Sequence, residues 1–296
     1  MDQSSRRRIL FVVNPKSNKN AKDEIKNSIT ELKKELKPEW KIYTTKGEND
    51  PENIRKILDW FEPDTVVAAG GDGTVNLVGR VLFNRNINMG IIPEGSANGL
   101  AFNLNIPNNT KNAIKQILKS DPKPIDMIRI NEKHYCLHLS DIGINARIVK
   151  RFEKEGDKGL LGYGKQMVRE LFSRNNDFSF RLKTDHQEKA CKAEMLVIAN
   201  AQSYGTGAVI NPTGNIIDGN FEIVVIKPYP WWIVFSFIFM FFTGNLHKMK
   251  YVNVISTPDA QITLDKPRDL QVDGEIFSNI RSLNIQIHQR AINIYY

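Results

Sequence analysis

The chain has 296 residues and a net charge of +8, from 41 Lys and Arg against 33 Asp and Glu. Apolar residues make up 41% and charged residues 25%, which excludes a disordered chain, a collagen-like chain and a polytopic membrane protein. Two cysteines, Cys136 and Cys191, are too few for a disulfide scaffold or a zinc cluster; both lie in strand-like apolar runs and read as buried free thiols, suited to a reducing compartment.

Residues 1–8 are polar and basic, and only five apolar residues follow before Asn14-Pro15. A secretory signal needs a longer apolar stretch, so the expected location is cytoplasmic. Residues 8–13 have the pattern of a buried strand. Apolar positions 25, 29, 32 and 36 predict a helix over 21–36, and positions 54, 57, 58 and 61 another over 51–61. A weak strand at 41–45 lies between them. The apolar run 65–69 stops at two glycines, helical spacing resumes over 74–83, and a strand at 89–92 ends at Pro93. This alternation predicts an open, mostly parallel sheet with helices on both faces, over residues 1–125.

From Asp126 the character changes. Residues 126–296 read as a β-rich second domain, a sandwich, with its last strand a candidate to return to the first domain. Its expected strands are 126–130, 135–140, 178–183, 191–199, 221–226, 260–264, 269–273 and 281–288. Turn signals at Asn131-Glu132, Asp218-Gly219 and Asp273-Gly274 separate them. Two helices are expected as insertions in the pattern, near 159–173 and 230–243, the second bracketed by Pro230 and Gly244.

The strongest chemical signal is Gly70-Gly71-Asp72-Gly73-Thr74, between a strand and a helix. Glycines there let backbone approach a ligand, and the helix start favours phosphate. An aspartate among them suits a magnesium ligand or a proton acceptor, and equally a cap on a tight turn. No Gly-Lys-Ser/Thr follows, so this is not a P-loop. The second signal, Pro93-Glu94-Gly95-Ser96-Ala97-Asn98-Gly99, also follows a strand, where an open α/β sheet binds ligands. Gly95, Ser96 and Asn98 are candidate contacts to phosphate or ribose.

Taken with Asn14-Pro15 and Ser17 near the start, and with Asp218-Gly219 and Val272-Asp273-Gly274-Glu275 near the end, these loops resemble the diacylglycerol kinase catalytic-domain family. That family includes bacterial lipid kinases and sphingosine kinases, and the resemblance covers nearly the whole chain. It implies a two-domain kinase with ATP between the domains. It implies that Asn14, Gly70, Gly71, Gly73, Thr74, Gly95, Ser96 and Asn98 bind nucleotide. Asp72 and Asp126 would share a Mg²⁺ network, and Asp218, Asn215 and Asn220 would match a structural Mg²⁺ site. The catalytic residues it implies are Asp72 and Glu275, with either as general base. Gly99 stands where diacylglycerol-type bacterial kinases carry an aspartate and is closer to the sphingosine kinases. Asn18 replaces the glycine usual in the opening loop, and Leu77 a frequent glutamate.

The expected activity is transfer of the γ-phosphoryl group of ATP to a lipid hydroxyl, diacylglycerol- or sphingoid-like. The alternatives are an NAD-kinase-like kinase of a soluble nucleotide and a catalytically silent nucleotide- or lipid-binding protein. Expected partners are a lipid substrate and an anionic membrane surface, without nucleic acid; a homodimer stays open. Half of the net charge falls in residues 147–174, with eight Lys and Arg against four Asp and Glu. Residues 231–242, WWIVFSFIFMFF, have no polar helical face and are too short to span a bilayer. They read as a membrane-docking helix, with Phe239 and Phe241 among its lipid contacts, or as core or subunit interface.

Overall fold

The structure, a computed structural model, describes residues 7–32, 38–143, 177–205 and 207–296. The basic stretch 147–174 and the helix expected near 159–173 lie outside the described residues. The chain divides into two compact units, one running to Ile125 and joined by Arg290–Tyr296, the other Asp126–Gln289.

The first unit alternates β1 (Arg8–Val13), α1 (Ala21–Leu32), β2 (Glu39–Thr44), α2 (Asp50–Phe61), β3 (Thr65–Gly70), α3 (Asp72–Leu82) and β4 (Asn88–Pro93). Two helices, α4 (Gly99–Asn103) and α5 (Thr110–Lys119), follow. The strands pair in parallel in the order β2-β1-β3-β4. Near the chain end, Ile294 adds in parallel beside Met89. A parallel strand covered by helices on both faces needs apolar side chains at every position, which is why Ile9 through Val13 and all of β3 are buried runs rather than alternating ones.

The second unit is β-rich: β5 (Pro122–Ile130, begun in the first unit), β6 (His134–Cys136), β7 (Leu139–Gly143), β8 (Phe178–Thr184), β9 (Gln187–Ala193), β10 (Met195–Ala199), β11 (Phe221–Ile226), β12 (Val252–Thr257), β13 (Asp259–Val272) and β14 (Glu275–Tyr295). Antiparallel pairing runs β12-β11-β10-β7-β13 and continues through the β13–β14 hairpin. Side chains alternate across a strand, so one strand can serve two cores. In β10, Leu196 and Ile198 enter a cluster with Phe178, Phe221 and Ile262. Met195, Val197 and Ala199 face the other way, onto Phe237 and Phe241 of the Val234–Thr243 helix. That helix follows a 3₁₀ turn, Trp231–Ile233, and ends on Gly244 at φ +68°, where a side chain would be strained.

Several expected strands differ in extent. The stretch 135–140 is broken between β6 and β7, because the N–H groups of Leu137, His138 and Leu139 turn to the Asp273 carboxylate. The stretch 191–199 is two strands, a half-exposed β9 and a fully buried β10. The runs 260–264 and 269–273 join into β13 across a register shift between Thr263 and Arg268. β12 was not expected, since Asn253 and Ser256 interrupt its apolar pattern. Cys136 is buried and Cys191 half-buried, both free thiols.

One local interaction sets the start of α2. Asp50 is buried, which raises the cost of its charge, yet its carboxylate accepts from Tyr43 Oη at 2.6 Å, Lys46 N at 2.9 Å and Gly47 N at 2.8 Å. These bonds win, and the carboxyl lies below its ordinary value of 3.8. A depressed carboxyl contributes stability above the unfolded value and loses it as pH falls through the folded one. Asp50→Asn is therefore expected to cost about 1–3 kcal/mol at neutral pH. Thermal unfolding as a function of pH should show the gap between wild type and variant closing as pH drops below the ordinary carboxyl value; a gap independent of pH would contradict this account.

Candidate active site

In the first unit the chain leaves β1, builds β2 on one side, and returns to place β3 on the other. Such a reversal opens a crevice at the carboxyl ends of β1 and β3. Asn14 ends β1, Gly70-Gly71-Asp72 ends β3, and Pro93 through Gly99 follows β4. Three candidate segments thus meet at one edge. Asn14 Nδ2 donates to Thr74 Oγ1 at 3.3 Å, and Asn14 N to Ala69 O at 2.9 Å. Asp72 Oδ1 accepts the Gly99 N–H at 2.7 Å, tying the first glycine loop to the second.

The two loops also touch through bare backbone. A Cβ on Gly95 would run into the Gly71 Cα, and one on Gly71 would lie 3.2 Å from the Gly95 Cα. Asn98 then bends the second loop in left-handed geometry at φ +50°, with its amide bonded both ways to Gly95 at 2.8 Å. Gly73 is different. A Cβ there would meet nothing within 4 Å, so packing within the protein does not demand a glycine in this first turn of α3. Ser96 is exposed at the loop tip.

Asn18, the departure from the family's glycine, donates to Glu94 Oε2 at 2.6 Å and Glu24 Oε1 at 3.3 Å. Thr110 Oγ1 lies between the other oxygens of the same two carboxylates, at 3.1 Å and 3.0 Å, its single proton shared between them. The opening loop is thus held to the second glycine loop by side chains whose pairing no local spacing announces.

The second unit brings Asp126 together with the Asp218-Gly219 turn, 93 residues away: Asp126 Oδ2 accepts the Gly219 N–H at 2.7 Å. Asp126 is fully buried, whereas Asp218 is exposed and folds onto Asn220 N at 2.9 Å. Asn215 Oδ1 accepts from Ile217 N at 3.3 Å. Beneath this loop Glu222 is buried between Asn211 Nδ2 at 2.6 Å and Ser256 Oγ at 2.9 Å. Burial raises its pKa and the Asp218 charge adds to the rise, against those two hydrogen bonds. Asn211 Oδ1 is buried with no hydrogen-bond partner among the described residues. This all-oxygen donor set fits a hard divalent cation such as Mg²⁺. Among the described residues no three His, Cys, Asp or Glu side chains cluster as a metal site, so such a cation would depend on amide and backbone oxygens as well.

Glu275 opens β14 directly after a two-residue hairpin loop, Asp273-Gly274, with φ +45° and +93°. Glu275 is exposed, but the turn beside it is anchored from within. Asp273 is buried and accepts from Leu137 N at 2.8 Å and from His138 N and Leu139 N at 3.1 Å each. The Cys136 thiol adds a contact at 3.3 Å. With its amide oriented to satisfy both neighbours, Gln271 donates to Asp141 Oδ2 at 3.0 Å and accepts from Gly274 N at 2.6 Å. Burial, and then the Asp273 charge, push the Cys136 thiol well above its ordinary value, so it stays protonated and unreactive. Sequence reading passed over Asp273 as a turn residue; the buried carboxylate becomes visible only with the loop it gathers.

Residues 8–130 match the diacylglycerol kinase catalytic domain, and residues 140–296 the YegS C-terminal NAD kinase β-sandwich-like domain. The chain is 27% identical over 279 residues to a "probable lipid kinase YegS-like" protein of Pectobacterium atrosepticum, covering 90% of this chain and 88% of that one. It is 26% identical to a protein of the same description from Yersinia enterocolitica, over 77% of each. The crystal structure of a diacylglycerol kinase from Bacillus anthracis superposes with a TM-score of 0.80 at 21% identity, covering 99% of this chain and 98% of the other, which shows a common fold.

The Asp273 cradle makes a direct prediction. Asp273→Asn turns an amide NH₂ toward backbone N–H donors and should cost about 1–3 kcal/mol or more. Thermal melting should fall, and Cys136 should become reactive to a thiol reagent; unchanged melting and a protected thiol would show that the cradle contributes little.

Proposed function

Because the chain belongs to the diacylglycerol kinase catalytic-domain family of lipid kinases, we propose that it transfers the γ-phosphoryl group of ATP to the hydroxyl of a diacylglycerol- or sphingoid-like lipid. The observation that carries this reading is the pair of glycine loops at the carboxyl ends of β3 and β4, joined by Asn14 from β1, with Gly73 left bare where internal packing does not require it. Backbone N–H groups in the first turn of α3 suit phosphate oxygens, and a side chain at 73 would stand in their approach. Asn14, Gly70, Gly71, Thr74, Gly95, Ser96 and Asn98 complete the nucleotide contacts in this reading.

Asp72 and Asp126 are assigned to Mg²⁺ held with the nucleotide, and Asp218 with oxygens of Asn215 and Asn220 to a structural Mg²⁺. When bound, the cation neutralises phosphate charge during transfer. Asp72 is fixed by the Gly99 N–H, so its second oxygen points in a set direction. Glu275, or Asp72 in its place, accepts the lipid hydroxyl proton. The anchored hairpin gives Glu275 a rigid base, which a positioned proton acceptor requires.

Labelled ATP with diacylglycerols, sphingoid bases, ceramide and polyprenols tests the activity; no labelled lipid from any of them would remove the reading. Gly73→Ala should leave melting unchanged or raised, because alanine favours helix by about 1 kcal/mol, while ATP affinity falls. Glu275→Gln should lower kcat by roughly 10²–10⁴-fold with ATP affinity kept; near-normal turnover would transfer the base role to Asp72. Added Mg²⁺ without nucleotide should raise the melting temperature, and Asp218→Ala should remove that rise. An equal rise in both proteins would leave Asp218 an ordinary turn residue.

A further inference from the structure

The Val234–Thr243 helix buries Val234, Phe237 and Phe241 against the second unit's core. Its other side is largely exposed. Trp232, Phe235, Phe239 and Phe242 follow at spacings of three, four and three, one helical stripe, and are 60%, 64%, 65% and 64% exposed. Trp231 joins them at 50%, with the two indoles edge to face at a centroid distance of 6.1 Å. Five large aromatic side chains side by side on an exposed ridge are far from the scattered apolar residues of an ordinary surface.

We propose that this ridge docks on the surface of a phospholipid bilayer bearing anionic headgroups. Two further observations select that occupant. First, three of the four carbonyls in the last turn of the helix find partners within the protein. Phe239 O accepts from Thr243 Oγ1 at 3.0 Å, Met240 O from Asn245 N at 3.1 Å, Phe241 O from Val209 N at 2.9 Å and Thr243 O from Asn245 Nδ2 at 2.9 Å. Carbonyls left over at a helix end can be met by water or by the protein, and only those with protein partners are suited to enter the acyl region. Second, residues 223–258 contain no Asp or Glu, while Lys248 and Lys250 lie exposed just past the helix. A twofold contact between copies through this ridge would bring those lysines to a segment with no carboxylate to meet them. Anionic headgroups supply the missing charge. The helix is about 15 Å long, too short to cross a bilayer, so it lies in the interface with the Trp231–Trp232 pair at headgroup level. Phe241, expected from sequence to touch lipid, is instead core.

The proposal gives a lipid kinase access to its substrate but does not depend on that activity. The test is flotation of the full chain with vesicles of phosphatidylcholine, with and without phosphatidylglycerol, in the absence of ATP. Wild type should bind the anionic vesicles, and added salt should weaken the binding without abolishing it. Trp232→Ser with Phe239→Ser should lower partitioning by about tenfold or more at unchanged melting temperature. Lys248→Gln with Lys250→Gln should lower it only on anionic vesicles. Should the serine variant melt early, quenching by lipids brominated on their acyl chains decides instead, with Trp40→Phe and Trp60→Phe removing the two indoles of the first unit: the fluorescence of Trp231 and Trp232 should be quenched. No flotation of wild type at low salt, undiminished binding by a well-folded serine variant, or no quenching would overturn the proposal. So would a wild-type dimer made monomeric by the serine pair while vesicle binding stays intact. Turnover of a dispersed short-chain lipid separates the two ideas: turnover without vesicle binding overturns docking alone, and vesicle binding without turnover of any lipid supports docking while removing the kinase reading.

Discussion

Two loops can lie backbone against backbone only where neither carries a Cβ, and Gly71 against Gly95 is such a place. That contact fixes the spacing between the ends of β3 and β4, and other features of the candidate nucleotide site are built on it. Asp72 reaches the Gly99 N–H because the loops are this close. Asn98 closes the second loop onto Gly95, and Glu94 donates its N–H to Gly70 O at 2.9 Å. Side chains at either glycine would push the strands' ends apart and loosen all three bonds together.

The second unit relies on a carboxylate rather than on missing side chains. Asp273 is buried where the backbone N–H groups of Leu137, His138 and Leu139 converge on it, and their turn toward it breaks the strand between β6 and β7. A buried charge with three such donors is tolerated where one with none would be expelled. The result is a tight hairpin that cannot shift without breaking those bonds, and Glu275 follows it by two residues. A glutamate on an anchored turn has a defined reach, which the proton-acceptor role proposed for Glu275 would require.

Much of this arrangement was legible in the sequence. Continuous apolar runs at residues 9–13 and 66–69 announced strands covered on both faces, and 3–4 spacing announced α1, α2 and α3. The glycine loops fell where strands stop, so their place at the sheet's carboxyl edge followed from the alternation alone. β12 was not legible, because pairing with β11 supplies what its own pattern lacks. Nor were the Asn18–Glu94 and Thr110–Glu24 bonds, made by residues 76 and 86 positions apart.

The sequence by itself determined which segments are strands and helices in the first unit, and which loops carry glycine and carboxylate. Those properties follow from local periodicity and from what one residue can do with its own backbone. Tertiary structure decided roles that local pattern leaves equal. In residues 231–242 every face is apolar, so only the position of β10 and β11 could bury Phe237 and Phe241 while leaving Phe235 and Phe239 largely exposed. Asp273 and Glu275 are both acidic residues of one turn, and the approach of residues 137–139 made the first an internal anchor and left the second at the surface. Burial belongs to the arrangement of neighbours, and neighbours distant in sequence are brought together only by the fold.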